Sequence, residues 1–345
     1  MDGLMPIIAA VTAFAVTALL GFVVIPFLHK LKYGQTILDI GPKWHKKKQG
    51  TPTMGGIMFI IGIIAALAVT VAVAAVNTDT NLAGELFSST GQQRIYVVRI
   101  FAGVIMAISF GFVGFIDDYI KVVKKRNLGL TTRQKTMLQL LIAAGYLSTL
   151  ALQKDVTTWI PFVGNIDVSH GWGLLYWPIA LMFIYGFVNA VNLTDGIDGL
   201  CSTVTLVVGV FYLLFSGLMS MFSLNIASAA LMGGCAGFLL WNGNPAKVFM
   251  GDTGSLFLGG MVVAMAFASG RPILLLLVGI IYLIEALSVV IQVAWYKRTQ
   301  KRIFRMTPIH HHYEMGGWSE NKIVMVFAAV TVIGCCLAFL LSVIG

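Results

Sequence analysis

Residues 55–76 read GGIMFIIGIIAALAVTVAVAAV, 22 positions without a charge. A helix rises 1.5 Å per residue, so this run covers the ~30 Å of hydrocarbon in a bilayer. Its apolar residues do not alternate, which argues against the dyad strands of a membrane barrel. Within lipid, a helix pairs its backbone groups inside its own segment, and this makes it the default. Working outward, similar runs recur at 4–28, 95–116, 136–152, 174–191, 199–217, 222–241, 255–270, 272–296 and 323–344. The expectation is an all-α, polytopic integral membrane protein with ten transmembrane helices. One transmembrane catalytic domain then spans 1–345.

Composition agrees. The chain is 58% hydrophobic and 11% charged, with a mean hydropathy of +0.89. A soluble globule of that make-up would have no polar coat. The first run is too long for a signal-peptide core and lacks a basic start, so it reads as a permanent span. Cys201, Cys235, Cys335 and Cys336 lie in or beside apolar runs, at spacings that suit neither a disulfide framework nor a zinc site.

Charge sets the orientation. The loops 29–54, 117–135, 242–254 and 297–322, with the turn 192–198, hold 19 of the 23 Lys and Arg. The positive-inside rule makes these loops cytoplasmic and both termini extracytoplasmic. The net charge of +9 therefore gathers on one face, suited to anionic headgroups or phosphorylated substrates. Short loops tethered at a bilayer are a poor fit to nucleic acid.

Five aspartates fall on that same face. Asp117 and Asp118, in FIDDYIK, close the third run; adjacent helix residues diverge by about 100°, so joint use by one ligand needs a helix end or a kink. They read either as markers of the water interface or, with Lys121 nearby, as a metal–phosphate site, since magnesium prefers carboxylate and phosphate oxygens. Asn192-Leu-Thr-Asp195-Gly196-Ile197-Asp198-Gly199 joins two spans with very few residues. Asn, Asp and Gly build ordinary turns, but acids beside lipid are costly unless paired. Asp252, in FMGDTGS, starts a span, where it can cap the helix or share its free N–H groups with a phosphate. Asn242 carries both donor and acceptor, enough to read a uracil edge. Phe249 suits base stacking or an interfacial aromatic belt.

The basic loops add candidates. Lys46, Lys47 and Lys48 precede Thr51-Pro52-Thr53, and Lys135 follows the aspartate pair. His310, His311 and His312 would point in different directions on a regular element, which weakens a metal reading. Phosphate binding or proton transfer suits imidazole better. Glu285 lies inside the ninth run, where a charge must face protein or water, and Gln292, two turns on, shares its face.

Taken together, DDYIK, NLTDGIDGL, FMGDTGS and PIHHHYE, in this order between ten spans, resemble the polyprenyl-phosphate N-acetylhexosamine-1-phosphate transferases. GTPTMGG with PIHHHYE resembles in particular the bacterial phospho-N-acetylmuramoyl-pentapeptide transferases. The resemblance covers essentially the full chain. It implies a magnesium-dependent (Mg2+) enzyme of the bacterial cytoplasmic membrane that converts UDP-MurNAc-pentapeptide and undecaprenyl phosphate to lipid I and UMP. A homodimer in the lipid bilayer is implied as well.

On this resemblance Asp252 binds the metal. Asp117 orients or deprotonates the lipid phosphate, with Asp118 beside it and His311 among the catalytic groups. Asn192, Asp195, Gly196, Ile197 and Asp198 shape the nucleotide pocket; Phe249, Asn242 and Lys48 meet the nucleoside. Lys121, Lys135 and His312 hold phosphates, and Thr53 and Gln292 join the substrate-binding set. The rival readings are a related transferase using UDP-GlcNAc and a transporter of a phosphorylated solute. A transporter would keep its polar site near the midplane, whereas here only Arg99 and Glu285 lie deep.

Overall fold

The computed structural model describes residues 2–31, 48, 50–77, 80–87, 92–124, 128–153 and 156–344. Among these, ten long helices follow one another: α1 (Met5–Lys30), α2 (Gly56–Val76), α3 (Gln92–Val123), α4 (Thr132–Ala151), α5 (Tyr176–Thr194), α6 (Leu200–Leu218), α7 (Phe222–Asn242), α8 (Gly251–Ala268), α9 (Ile280–Thr299) and α10 (Glu320–Ile344). Nine are long and apolar enough to cross a membrane by themselves. The exception, α4, carries Arg133 and Lys135 in its first turn. Most of loop 29–54, with Lys46 and Lys47, lies outside the described residues.

Four boundaries differ from the sequence expectation. The third span does not end at the aspartate pair: α3 runs on to Val123, leaving Asp117 and Asp118 within the helix. Lys121 permits this, because its ammonium sits 2.6 Å from Asp117 one turn away and offsets acids at the unfavourable dipole end. Next, α4 begins at Thr132, four residues early, because Thr131 and Gln134 form a reciprocal capping box. The run 272–296 is broken at Gly279, with short turns Pro272–Leu274 and Leu275–Val278 ahead of α9. Finally, PIHHHYE is a short helix, Ile309–Glu314, rather than open loop.

The outer loops also have structure. Asn81–Phe87 is helical and brings Glu85 to the start of α7, where its carboxylate accepts from the amides of Phe222 (2.9 Å) and Ser223 (2.8 Å). An acid there meets the positive end of the helix dipole. An antiparallel hairpin pairs β1 (Thr157–Ile160) with β2 (Gly164–Asp167). Apart from that hairpin the regular elements of the described residues are helices.

Helix α8 is the axis of the bundle: every residue from Thr253 to Ala268 is buried. Small residues let other backbones come close, which is how helices associate where lipid gives no hydrophobic drive. A Cβ on Gly114 of α3 would lie 2.1 Å from the Asp252 carbonyl oxygen, and one on Gly56 of α2 would lie 2.3 Å from Gly254 Cα. Farther along, Gly260 faces Ala107 of α3 and Gly259 faces Val188 of α5. Thus the N-terminus of α8 is wedged against α2 and α3, and the acids of both segments meet there.

Candidate active site

Asp252 is the hub. It lies in the first turn of α8, and its Oδ1 accepts from Asn192 Nδ2 at 2.7 Å. Its Oδ2 receives Lys121 at 2.8 Å and Lys135 at 3.1 Å. Asn192 also donates to Ser255 Oγ, one turn along α8, at 2.7 Å. Thus α3, α4 and α5 each contribute one side chain to a single carboxylate of α8.

Asp117 and Asp118 both reach this hub, from within the last two turns of α3. Lys121 bridges Asp117 Oδ2 (2.6 Å) and Asp252 Oδ2 (2.8 Å) and lies 3.8 Å from Asp118. Asp117 Oδ1 accepts from the Leu130 amide at 2.7 Å, tying the start of α4 to α3. Asp118 turns to the end of α8, where Oδ2 accepts from the Thr253 amide (2.9 Å) and hydroxyl (2.7 Å) and Oδ1 from the Asp252 amide (3.3 Å). Neither a helix end nor a kink is needed, because α8 arrives between the two directions in which the acids diverge.

A ligand oxygen from each of Asp117, Asp118 and Asp252 falls within 4.8 Å of the others. Three hard oxygen donors beside two ammonium groups match the preferences of a magnesium–phosphate pair. The Lys121 ammonium already holds two of these carboxylates together, so this cluster tolerates positive charge at its centre.

Asp195 and Asp198 part company. The segment between α5 and α6 is not helical, so a separation of three residues does not give them a common face. Asp198 is buried and accepts from Lys48 Nζ (2.8 Å), Asn244 Nδ2 (3.2 Å) and the Ala246 amide (2.9 Å). Lys48 is shared with Glu320 of α10 at 2.6 Å, and Glu320 also takes the Asp198 amide at 3.0 Å. Asp195 ends α5. Burial pushes its carboxyl up to about 8, with the charges of Asp252, Asp118 and Asp198 adding to the rise.

Several expected contacts are redirected. Asn242 is buried with both amide atoms committed, Nδ2 to the Val248 carbonyl (2.9 Å) and Oδ1 to Ser202 (3.3 Å). These two bonds shape loop 242–250. Gln292 Nε2 likewise donates to the Phe304 carbonyl and its Oε1 accepts from the amides of Ile303 and Phe304, each at 3.0 Å. It fastens loop 300–305 to α9. It does share a buried stripe with Glu285 and Ser288.

The remaining residues frame the cleft. Phe249 is partly buried, and its backbone pairs with Pro52 and Gly55 at 2.9 and 2.8 Å, carrying Thr53 beside Gly251. The three histidines diverge as a helix requires: His310 to Glu285 (3.1 Å), His311 to Glu314 (2.9 Å) and His312 to the Arg305 amide (3.1 Å). Gly196 backs onto His310, and Ile197 is buried in the core. Glu320 and Glu314 are partners of these residues to which the motif reading gave no role. For Glu320 the available signal was an acid opening the last span directly after the histidine segment.

The arrangement gives a half-buried, cation-lined acidic cluster at a helix N-terminus, at one end of the bundle. Comparison with known proteins is consistent. The glycosyl transferase family 4 model matches residues 100–270, and a phospho-N-acetylmuramoyl-pentapeptide-transferase signature matches residues 48–60. A phospho-N-acetylmuramoyl-pentapeptide-transferase of Clostridium perfringens strain SM101 is 47% identical over 335 residues, 96% of this chain and 95% of its own. Proteins of the same name from Acetivibrio thermocellus and Halalkalibacterium halodurans are 45% and 42% identical, over 95% and 98% of this chain and 93% and 97% of their own.

Proposed function

The chain belongs to the phospho-N-acetylmuramoyl-pentapeptide transferases, and from that premise we propose how its residues carry out the transfer. The protein moves phospho-MurNAc-pentapeptide from UDP-MurNAc-pentapeptide to undecaprenyl phosphate, releasing UMP and leaving lipid I. One observation carries the assignment of the site: Asp252 is held at once by Lys121, Lys135 and Asn192, next to Asp117.

A phosphate oxygen of the lipid attacks the sugar-linked phosphorus of the donor; the bond from that phosphorus to the UMP oxygen breaks, and UMP departs. Such transfers need little covalent help from protein and depend on positioning and charge neutralisation. Lys121 and Lys135 supply positive charge where the pyrophosphate oxygens gather negative charge. Asp117 keeps the lipid phosphate deprotonated and aimed. Asp118 acts through α8, since its oxygens are engaged by the Asp252 and Thr253 amides. Asp195, partly buried beside the cluster, and Phe249 line the donor side.

Magnesium fits the donor set of Asp252, Asp117 and Asp118, and when bound it neutralises the pyrophosphate as a Lewis acid. A carboxylate spent on a cation and two ammonium groups is a weak nucleophile, which favours direct attack over a phosphosugar–aspartate intermediate. The acidic end of the bundle faces the cytoplasm on this reading, because the basic loops gather there. A homodimer belongs to the same reading, and sedimentation of the detergent-solubilised protein tests it.

The deciding experiment is UMP release by Asp252→Asn and Asp117→Asn with a UDP-MurNAc-pentapeptide donor and a UDP-GlcNAc control. Near-normal turnover by both variants would defeat the site assignment. UMP release from UDP-GlcNAc alone would defeat the substrate.

A further inference from the structure

We propose that Glu285, deep in α9, is a positioning residue for the donor side of the site, acting through His310 on the turn at Gly196. This rests on the reading of residues 192–199 as part of the donor pocket.

Glu285 and His310 are both 0% exposed. Their Oε1 and Nδ1 lie 3.1 Å apart, with one proton bridging them. A carboxylate in the apolar interior is expensive and persists where a partner fixes it. The bridge also fixes the ring. Among the described residues Glu285 Oε2 and His310 Nε2 have no hydrogen-bond partner, so the bond to Glu285 is the one that fixes the imidazole's orientation.

The free edge of that ring abuts the donor turn. A Cβ built on Gly196 would sit 2.1 Å from His310 Nε2 and 2.5 Å from Cε1. The imidazole has no flexible end with which to retreat, because its opposite nitrogen is held by Glu285. Gly196 therefore rests directly against the ring, and the position of the ring sets how far the turn sinks into the bundle. Asp195 and Asp198 flank Gly196 and move with it. The stack continues outward, since the His311 ring lies 4.1 Å from that of His310, centroid to centroid, and His311 is fixed by Glu314. Glu285 thus reaches the site without touching substrate.

Steady-state UMP release, with donor and lipid acceptor varied separately, tests this. Glu285→Ala is expected to raise the donor KM about tenfold while kcat and the acceptor KM stay within about twofold. Glu285→Gln should restore the donor KM, because its amide pairs with Nδ1 in either tautomer. Gly196→Ala, which pushes the turn from the other side, should raise the donor KM too. The double variant Glu285→Ala/Gly196→Ala should lose less than the product of the single losses.

A purely structural role would lower the melting temperature and leave the donor KM unchanged, and that result would overturn the proposal. So would a Gln variant as impaired as the Ala variant, which would point to charge rather than position. If Glu285→Ala fails to fold, an unchanged donor KM in Gly196→Ala is enough to overturn it. Asp252→Asn separates the two readings: if it is inactive while Glu285→Ala keeps a normal donor KM, only the positioning role fails. If Asp252→Asn turns over normally, the site itself has been misassigned.

Discussion

Asp118 Oδ2 accepts both the amide and the hydroxyl of Thr253, at 2.9 and 2.7 Å, so a carboxylate of α3 caps the first turn of α8 from outside that helix. The next residue back, Asp252, is the hub of the cluster, and the cap sets its height against Lys121 and Lys135. Hydrogen bonds to a buried charge are worth about 1.5–3 kcal/mol each. Asp118→Ala should therefore destabilise the detergent-solubilised protein by about 2–4 kcal/mol and remove most UMP release. Thr253→Val should be milder, and the pair should be sub-additive in a double-mutant cycle. Independent, fully additive losses would show that the cap does not position Asp252.

Lys121 stands between Asp117 and Asp252. Replacing it by Met removes an ammonium from a nest of acids and from the pyrophosphate path. Turnover should fall roughly 10²–10³-fold. The same change leaves the carboxylates without their internal counter-charge, so a divalent cation should bind more tightly. Mn2+ binding followed by electron paramagnetic resonance reads this directly, and weaker binding by Lys121→Met would contradict it.

Asp195 gives a pH signature. Its carboxyl is pushed up to about 8, whereas an unfolded aspartate ionises near about 3.9. Between those values the folded protein keeps a proton that the unfolded chain has lost, so stability falls as pH rises through this window and levels off above it. Melting temperatures from pH 5 to 9 should decline less steeply for Asp195→Asn than for the parent. Equal slopes would mean that Asp195 ionises normally.

Gly114 tests the wedge at the end of α8. A Cβ there would lie 2.1 Å from the Asp252 carbonyl oxygen, a backbone atom that cannot step aside. Gly114→Ala should force α3 and α8 apart, costing about 3 kcal/mol or more and disabling the cluster. Gly145 of α4 has nothing within 4 Å of its added Cβ. Gly145→Ala should be neutral or stabilising by up to about 1 kcal/mol. Comparable damage from the two substitutions would refute the packing account.

How much of this was legible beforehand varies by residue. Asp252, Asp117 and Lys121 stood out as candidates because acids at the edge of lipid need partners, and sequence shows both the acid and the edge; the structure brings the three side chains together. For Asn242 and Gln292 the sequence left the partner open. An amide offers the same donor and acceptor to a ligand as to a backbone carbonyl, and only the path of loops 242–250 and 300–305 reveals which one takes them. Glu320 escaped notice, although it opens the last span directly after the histidine segment, because its partners Lys48 and Asp198 lie far away in sequence.

The sequence by itself determined that the chain is a polytopic helical bundle with its polar chemistry at one end, because bilayer thickness and backbone hydrogen bonding leave apolar runs of this length no other form. It also carried the family, through motifs long enough to be specific. Tertiary structure alone decided how the five aspartates divide. Asp117, Asp118 and Asp252 meet because glycines let α8 press against α3, while Asp198 is drawn off to Lys48 and Glu320 and Asp195 is left in a poorly solvated place. The physical reason is that a side chain's partners depend on which backbones come within a few ångströms, and that distance is set by packing across the bundle rather than by spacing along the chain.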